Sequence, residues 1–121
     1  MKSAALSFFV LALAGFLFPA IAGEKVSVAE LHEKRAALSG KEVTLVGEVI
    51  KVNNGIMRRN FIHVQDGTGS GDLNRVILTS RQTARVGDKI EATGTVKLDT
   101  NFGAGYFYPT LVEQTTIAPA Q

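Results

Sequence analysis

The chain repeats one ten-residue pattern, GKEVTLVGEV at residues 40–49 and GDKIEATGTV at residues 87–96. Both copies have the form Gly-x-x-apolar-x-apolar-x-Gly-x-Val. Two copies are too few for a solenoid of stacked repeats, which needs at least about three. Alternating apolar residues predict β-strands, and a glycine inside a strand is typical of a bulge or a bend. The pattern therefore predicts two long strands, each bent at its inner glycine, which in the first copy is Gly47.

Three further strands are predicted around these two, at residues 57–65, 73–79 and 106–117, with turn-forming residues between them. Pro109 places the last of them at a sheet edge or a bulge. Long strands bent at glycine allow a small barrel to turn its corners. We therefore predict an all-β domain, a five-stranded Greek-key barrel of the OB type with a short N-terminal helix. A generic small β-sandwich is the competing architecture.

The N-terminal helix is predicted over residues 28–38. Ser27 and Glu30 have the spacing of a capping box, in which each side chain serves the backbone N–H of the other residue. Apolar side chains such as Leu31 recur at near-helical spacing, and Gly40 is a natural stop.

The first 22 residues have the three parts of a secretory signal peptide. Lys2 supplies the positive charge, an uncharged apolar run of 15 residues follows at 4–18, and Ala20 and Ala22 are the small residues that precede a cleavage site. The alternative is an uncleaved anchor, but the apolar run is shorter than the roughly 20 residues that span a bilayer. We therefore predict cleavage after Ala22 and export to the periplasm, with no membrane attachment afterwards.

Cleavage leaves 99 of the 121 residues, which is enough for one domain. We assign residues 23–117 to that domain and residues 118–121 to a disordered tail. Loss of Lys2 leaves 12 basic against 11 acidic residues, a net charge of +1. This balance lacks the strongly basic footprint of a typical nucleic-acid-binding domain. The chain has no cysteine, which excludes disulfides, thiol catalysis and cysteine-ligated metals.

The stretch GEVIKVNNGIMRRNFIHVQDGTG at residues 47–69 resembles a family of small exported bacterial OB-fold proteins. Residues 87–96 and 103–109 are similar to that family as well. Some members accompany periplasmic cytochrome c nitrite reductase systems, and others are described generally as nucleic-acid-binding OB domains. The resemblance implies an OB fold and an accessory role, with a periplasmic cytochrome c or another exported protein as partner. A fold alone does not supply an activity.

Ligands of OB domains bind on the outer face of the second and third strands, beside two flanking loops. In a regular strand, alternate residues share a face. Ile62 and Val64 then point to the core. The opposite face carries Met57, Arg59, Phe61, His63 and Gln65.

Met57 and His63 are candidate ligands for Cu(I), because thioether sulfur and imidazole nitrogen suit this soft ion. A known exported copper- and silver-binding OB protein also uses methionine, histidine and an aromatic ring on its barrel face, which is a likeness of architecture. Six residues of regular strand span about 20 Å, so one ion requires the chain near residues 58–60 to curl back. The alternative leaves Met57 packed at the barrel end and His63 at the surface. His32, in the helix, is predicted to face solvent.

An anionic, planar or single-stranded ligand is the second candidate. Lys51, Arg58, Arg59 and Arg75 can form a basic patch, and Phe61, Phe102, Tyr106 and Tyr108 can offer stacking surfaces. The near-neutral charge and the export signal argue against nucleic acid. The alternative interpretation is a solvated turn for the arginines and barrel packing for the aromatic rings.

No catalytic constellation is recognisable. Asp66 stands in a glycine-rich turn and is interpreted as a turn former, and no serine has a histidine and an acid in a known motif. We therefore predict a non-enzymatic exported binding or accessory protein. Its ligand is either copper or a single-stranded nucleic acid or other polyanion.

Overall fold

The computed structural model describes residues 23–120, and the predicted signal peptide, residues 1–22, lies outside this range. The described part contains six strands, two short helices and one 3-10 turn. The strands are β1 (Glu24–Lys25), β2 (Glu42–Ile56), β3 (Arg59–Gln65), β4 (Val76–Ser80), β5 (Lys89–Asn101) and β6 (Phe107–Pro119). The helices are α1 (Val28–Glu33) and α2 (Arg35–Leu38), and the 3-10 turn is Gly71–Leu73. The domain is mostly β-structure, as predicted, and within residues 23–120 neither helix is long enough to cross a membrane.

Five of the strands pair in a closed order. β2 pairs with β3, β3 with β4, β4 with β6, β6 with β5, and β5 pairs back with β2. These pairings are antiparallel except for β4 with β6, which run parallel where Ile77 lies opposite Leu111. β1 adds a short parallel pairing to β2. The closed order surrounds an apolar interior.

The two copies of the repeated pattern pair with each other along β2 and β5. Val43 lies opposite Gly94, and Ile90 lies opposite Gly47. Val43 and Ile90 are equivalent positions of the repeat, as are the two glycines. Each copy therefore places its apolar residue beside the inner glycine of the other copy.

The paired segments of β2 and β5 form a two-stranded ribbon. The hydrogen bonds at the two ends of this ribbon have the same symmetry. The backbone N–H of Gly40 donates to the carbonyl of Val96 at 2.8 Å, and the equivalent N–H of Gly87 donates to the carbonyl of Val49 at 2.8 Å. The two copies are therefore related by a local two-fold axis, which explains why one sequence pattern occurs twice.

The inner glycines are required by close packing. A Cβ on Gly47 would lie 2.5 Å from Cγ1 of Val64 and 2.6 Å from the carbonyl oxygen of Gln65. A Cβ on Gly94 would lie 2.7 Å from the carbonyl oxygen of Glu113. β3 and β6 thus cross the ribbon where no side chain stands in the way.

The interior is filled by aliphatic side chains from strands and helices, and their burial is the main stabilising term. The members of this central core are Val26, Val28, Leu31, Leu38, Val43, Leu45, Val49, Ile62, Val64, Val76, Leu78, Ile90, Ala92, Val96 and Val112. The helical segment closes the interior because Val28, Leu31 and Leu38 are all buried in this core.

The capping box predicted for α1 is confirmed. The Ser27 hydroxyl accepts from the N–H of Glu30 at 3.0 Å, and the Glu30 carboxylate accepts from the N–H of Ser27 at 3.1 Å. The helix therefore begins at Val28 with two of its free donors satisfied.

The loop after β3 caps the same helix from a distance in sequence. A carboxylate oxygen of Asp66 accepts from the N–H of Val28 at 2.9 Å, and the Thr68 hydroxyl accepts from the N–H of Ala29 at 2.9 Å. Burial alone would raise the pKa of Asp66, but hydrogen bonds from the Thr68 hydroxyl and from the Val28 and Thr68 backbones lower this pKa below 3.8. Asp66 is thus a structural anchor for α1 as well as a turn residue.

Several element boundaries differ from the prediction. The helix breaks at Lys34, which leaves helical geometry with φ −107° and ψ 23°, and this break turns Arg35 toward β6. β3 begins at Arg59 because Met57 and Arg58 form a two-residue turn. β4 begins at Val76 because the preceding residues form the 3-10 turn.

The predicted bulge also lies elsewhere. Pairing of β2 with β5 is continuous through Gly47, and two register shifts come later, between Val49 and Lys51 and between Asn53 and Ile56, where β2 pairs with β3 alone. In β5 the shift does surround Gly94.

At the C-terminal end, Ala118 and Pro119 still pair with β5, and the N–H of Ala120 donates to the carbonyl of Lys89 at 3.0 Å. β6 therefore extends into the residues predicted to form a disordered tail, and Gln121 lies outside the described residues.

Candidate ligand-binding groove

Phe61 lies on the outer face of β3 and is one of the four rings interpreted above either as stacking surfaces or as barrel packing. Only 1% of Phe61 is exposed. Its side chain is nevertheless absent from the central core that contains its neighbour Ile62. Phe61 is therefore buried on the outer face, which agrees with the packing interpretation and leaves its ring covered.

Three aromatic rings from the far end of the chain cover Phe61. The ring centroid of Phe61 lies 5.6 Å from that of Phe102, 5.4 Å from that of Tyr108 and 6.4 Å from that of Tyr106. Phe102 meets Phe61 edge-on at an interplanar angle of 87°, a favoured geometry for aromatic pairs. Burial, with the neighbouring Tyr106 as a smaller contribution, raises the pKa of Tyr108. The rings form a second apolar cluster, which we call the aromatic cap.

Arg59 borders the aromatic cap. Its guanidinium carbon lies 4.7 Å from the centroid of Phe102, within the range of a cation–π contact. Its Nε lies 3.9 Å from a Glu113 carboxylate oxygen. Arg59 is thus already engaged with the protein, and its charge is shared with a neighbouring carboxylate.

Beside the aromatic cap lies a groove of about 590 Å³ between the helical segment and strands β3, β4 and β6. Its walls combine aromatic and aliphatic groups with the cations of Arg35 and Arg75 and one carboxylate, that of Asp72, so a ligand would meet an apolar surface and a net positive charge. The residues that contribute most to this chemistry are His32, Arg35, His63, Arg75, Ile77 and Tyr108.

Arg35 is fixed at one wall of the groove. Its Nε donates to the Thr110 hydroxyl at 2.9 Å, and its Nη2 donates to the carbonyl of Pro109 at 2.7 Å. The same Nη2 lies 3.6 Å from a carboxylate oxygen of Asp99. The Nη1 nitrogen has no hydrogen-bond partner within the described residues, so this guanidinium presents one free, preoriented edge.

His32 and Arg75 are joined by a hydrogen bond in the lining of the groove. The Nε2 of His32 lies 2.7 Å from the carbonyl oxygen of Arg75. Because a carbonyl only accepts, Nε2 carries the hydrogen in this contact. The Arg75 side chain itself has one weak contact, from Nε to the side-chain oxygen of Asn74 at 3.5 Å. Its charge is therefore available to a ligand, and His32 is a bonded wall residue instead of the solvent-facing side chain predicted.

His63 lies at the centre of this surface, paired with Lys51 on β2 and with Ile77 on β4. It is half-buried, and its Nδ1 is buried without a hydrogen-bond partner within the described residues. Burial first, and then the charges of Lys51 and Arg75, lower the pKa of His63 below 6.5. The ring is therefore neutral at neutral pH.

Met57 and Arg58 stand at the other end of β3. Both have positive φ, 52° and 68°, in the turn that joins β2 to β3. Met57 lines a different depression from the one that His63 lines. The four steps from Arg59 to His63 along the strand also span about 13 Å. The structure thus does not bring together the two side chains predicted to hold copper.

The remaining predicted residues fall into two groups. Arg75 reaches the groove with His63, whereas Phe61, Phe102 and Tyr106 form the aromatic cap. Groups of three or more histidine, cysteine, aspartate or glutamate side chains that could hold a metal are absent from residues 23–120.

Sequence reasoning missed His32 and Arg35 as site residues. A spacing of three in the predicted continuous helix would put them near one another on its surface, although the break at Lys34 places Arg35 in α2, while Val28 and Leu31 face the core. That spacing was a usable signal. The register that brings them beside β4 and β6 was not visible in the sequence.

No family model matches the chain, and no curated protein matches it either. Among solved structures, it is similar to a DUF3299 family protein from Pseudomonas aeruginosa PAO1, at 12% identity and a TM-score of 0.51. That match covers 70% of this chain and 64% of the other. It is also similar to an aspartyl-tRNA synthetase from Leishmania major, at 11% identity and a TM-score of 0.56, over 93% of this chain and 26% of the other.

The chain thus spans less than two thirds of both of these solved structures. At these identities the likeness concerns the fold alone.

Proposed function

We propose that the protein is an exported, non-enzymatic binding module of the OB type, whose groove takes a small ligand with an anionic group and an apolar part. The observation that carries this proposal is the pair of arginines, Arg35 and Arg75, on the walls of a groove with apolar lining such as Ile77 and Pro109. Cations over an apolar surface favour a ligand that offers both kinds of contact.

The OB assignment is supported by the closed strand order. Two long strands, β2 and β5, pair with each other, and β4 pairs in parallel with β6. Five strands in a partly open Greek-key barrel are the hallmark of the OB architecture. The sixth, two-residue strand β1 is an addition at the edge.

The size of the groove supports a small molecule. Its volume of about 590 Å³ lies within the range of roughly 300–1,000 Å³ that is typical of small-ligand sites. A single strand of nucleic acid is supported less well, because stacking needs accessible rings and Phe61 is covered by the aromatic cap.

The charges of the groove support an anion. Arg75 has only a weak contact with Asn74, and Arg35 presents one free edge. A neutral His63 adds hydrogen-bonding capacity without an opposing charge, since its pKa is lowered. A carboxylate between two guanidinium groups forms charge-assisted hydrogen bonds, which are the strong ones.

Export and the accessory role remain part of the proposal. Cleavage after Ala22 would leave β1 whole, because β1 begins at Glu24. Cell fractionation with mass spectrometry tests this step. A periplasmic product that begins at Gly23 is expected, and a cytoplasmic product that retains residues 1–22 would contradict it.

The binding proposal is tested by calorimetric titration with 2-naphthoate and with the neutral isostere 2-naphthamide. We expect naphthoate to bind more tightly, and Arg75→Gln to weaken its binding by about tenfold, equivalent to roughly 1.4 kcal/mol. Arg85→Gln is the matched control, since Arg85 is exposed and lies outside the groove. Equal affinity for the two compounds, or no effect of Arg75→Gln, would overturn the proposal.

The copper hypothesis is tested in the same protein by competition for Cu(I) against a chelator. The structure gives Met57 and His63 no shared depression, so we expect no binding that depends on both residues. Tight Cu(I) binding that Met57→Ala and His63→Ala each abolish would replace the anion proposal with the metal site.

A further inference from the structure

A second concave surface shares no lining residue with the groove. It lies where β4 and β6 separate, beyond the last parallel pair, Leu78 opposite Val112. Two depressions of about 310 Å³ and 370 Å³ share Ser80, Arg81 and Gln114, so they are continuous. We call this surface the furrow.

The floor of the furrow is held by side chains that bridge the two strands. The Ser80 hydroxyl donates to the carbonyl of Thr115 at 2.6 Å. The Gln82 amide donates to the carbonyl of Ile117 at 3.1 Å and accepts from the N–H of Ile117 at 2.8 Å. The furrow is therefore preformed and does not depend on a ligand to hold its shape.

Backbone strain is concentrated around the furrow. Of the five non-glycine residues with positive φ within residues 23–120, three line it: Met57 at 52°, Arg58 at 68° and Gln114 at 54°. A two-residue hairpin turn with both φ values positive is normally built from Asn-Gly or similar pairs. Strained backbone conformations cost stability, and they tend to cluster at functional sites.

The furrow carries unbalanced positive charge. Glu113 is neutralised from two sides, by Arg59 at 3.9 Å and by Lys97 at 3.7 Å. Within residues 23–120, Arg58 and Arg81 have no carboxylate within ion-pair distance, and both are exposed. These two guanidinium groups are therefore free to bind an external anion.

From this geometry we propose that the furrow is a docking surface for an extended acidic segment of a partner protein. Carboxylates of such a segment bind Arg58 and Arg81 through paired, charge-assisted hydrogen bonds. The exposed Gln114 offers an amide that suits a peptide backbone, and Met57 offers an adaptable apolar contact at the end of the furrow.

A single-stranded nucleic acid is the other polyanion that two arginines would attract, but the furrow lacks what it needs. Aromatic side chains are absent from the residues that line the furrow, whereas binding of single strands relies on base stacking. The lack of stacking surfaces favours the peptide.

The test uses protein purified from a host that expresses the full chain, with a fluorescein-labelled oligoglutamate peptide as the probe in fluorescence anisotropy. We expect Arg58→Gln/Arg81→Gln to weaken binding by at least about tenfold. The control Lys41→Gln/Arg85→Gln removes the same charge at exposed positions outside the furrow. It should leave the affinity for the peptide within about twofold, because salt screens the effect of distant exposed charges.

A second variant separates a role in docking from a role in folding. Arg58→Gly relieves the positive φ of this turn residue, since glycine adopts such angles without strain. We expect its urea midpoint to rise while its affinity for the peptide falls. A fall in both, or an unchanged affinity, would overturn the assignment of Arg58 to docking.

Three other outcomes would also overturn the proposal. They are equal losses in the furrow and control variants, peptide binding that Arg75→Gln abolishes, and tighter binding of a labelled oligothymidylate at Arg58 and Arg81 than of the peptide. The groove proposal is tested by naphthoate affinity in Arg75→Gln, whereas the furrow proposal is tested by peptide affinity in variants of Arg58 and Arg81. Failure of the first proposal therefore leaves the test of the second unaffected.

Discussion

The side chains on the two faces of β3 are covered by different parts of the molecule. On the inner face, Ile62 and Val64 are fully buried in the central core. On the outer face, Phe61 is buried just as fully, but under the aromatic cap, and His63 is half-buried at the groove. Alternation along a strand separates the two faces, yet it does not tell which of them a ligand can reach.

Local pattern and distant sequence therefore control different parts of this molecule. The inner face is covered by strands that follow the same alternating pattern. The outer face is covered by residues 99–108, whose approach to β3 depends on the curl of β5 and β6.

Truncation on the inner face should be the most damaging change. Ile62 is fully buried, so Ile62→Ala is expected to lower the free energy of unfolding by about 2–5 kcal/mol. Ile77→Ala is the matched control, because Ile77 is only half-buried and lies beside His63 on the outer face. Urea unfolding measures the difference, and an equal decrease in the free energy of unfolding for both variants would contradict this distinction between the faces.

A methyl group added at the crossing of β3 should cost less, yet still clearly destabilise. The Cβ of Gly47→Ala would stand 2.5 Å from Val64 on the inner face, and overpacking of this kind typically costs about 1–3 kcal/mol. The two-fold ribbon predicts a similar loss for Gly94→Ala. Gly103→Ala is the contrasting variant: its Cβ would meet nothing within 4 Å, so any loss there reflects the strain of a positive φ of 89° and not a clash.

Opening the aromatic cap should be milder than damaging the core. Phe102→Ala removes the edge-on contact with Phe61 and the cation–π contact with Arg59, at an expected cost of about 1–2 kcal/mol. Phe107→Ala is the control, since Phe107 is 52% exposed and should change stability little. Thermal unfolding of the two variants measures the difference, and an equal shift in Tm would show that the cap adds no stability.

Asp66→Asn removes the carboxylate that caps α1 beside the groove. We expect it to lower the free energy of unfolding by about 1 kcal/mol at neutral pH. The pKa of Asp66 is lowered in the folded state, from an ordinary value of 3.8. Its contribution is therefore present above that ordinary value and is lost as the pH falls through the lower folded value. Urea unfolding of Asp66→Asn should approach the parent protein in strongly acidic solution, and a gap that persists there would contradict this linkage.

Much of the fold was open to prediction from particular residues. Ser27 and Glu30 predicted the start of α1, and the repeated glycine pattern predicted the long strands β2 and β5. Boundaries failed where tertiary contacts prevailed: Arg35 bonds to β6 across a break in the helix, and Met57 enters a strained turn. Neither event has a local sequence cause.

The candidate site was less predictable than the fold. Strand parity correctly placed His63 on the outer face, and Arg75 lies beside it. Parity could not show that Phe61 would be covered, because the covering rings are some forty residues away in sequence. Nor could it show that His32 and Arg35 line the groove, because the docking of the helical segment against the strands depends on contacts between residues that are distant in sequence.

The most direct test of an anion-binding groove is the titration of the His63 ring, followed by NMR with and without 2-naphthoate. Without a ligand, the pKa of His63 should lie below 6.5, because burial and the charges of Lys51 and Arg75 oppose protonation. A bound carboxylate offsets those charges, so this pKa should rise with naphthoate, whereas the neutral 2-naphthamide should not raise it. A His63 pKa that is the same with and without saturating naphthoate would contradict the account.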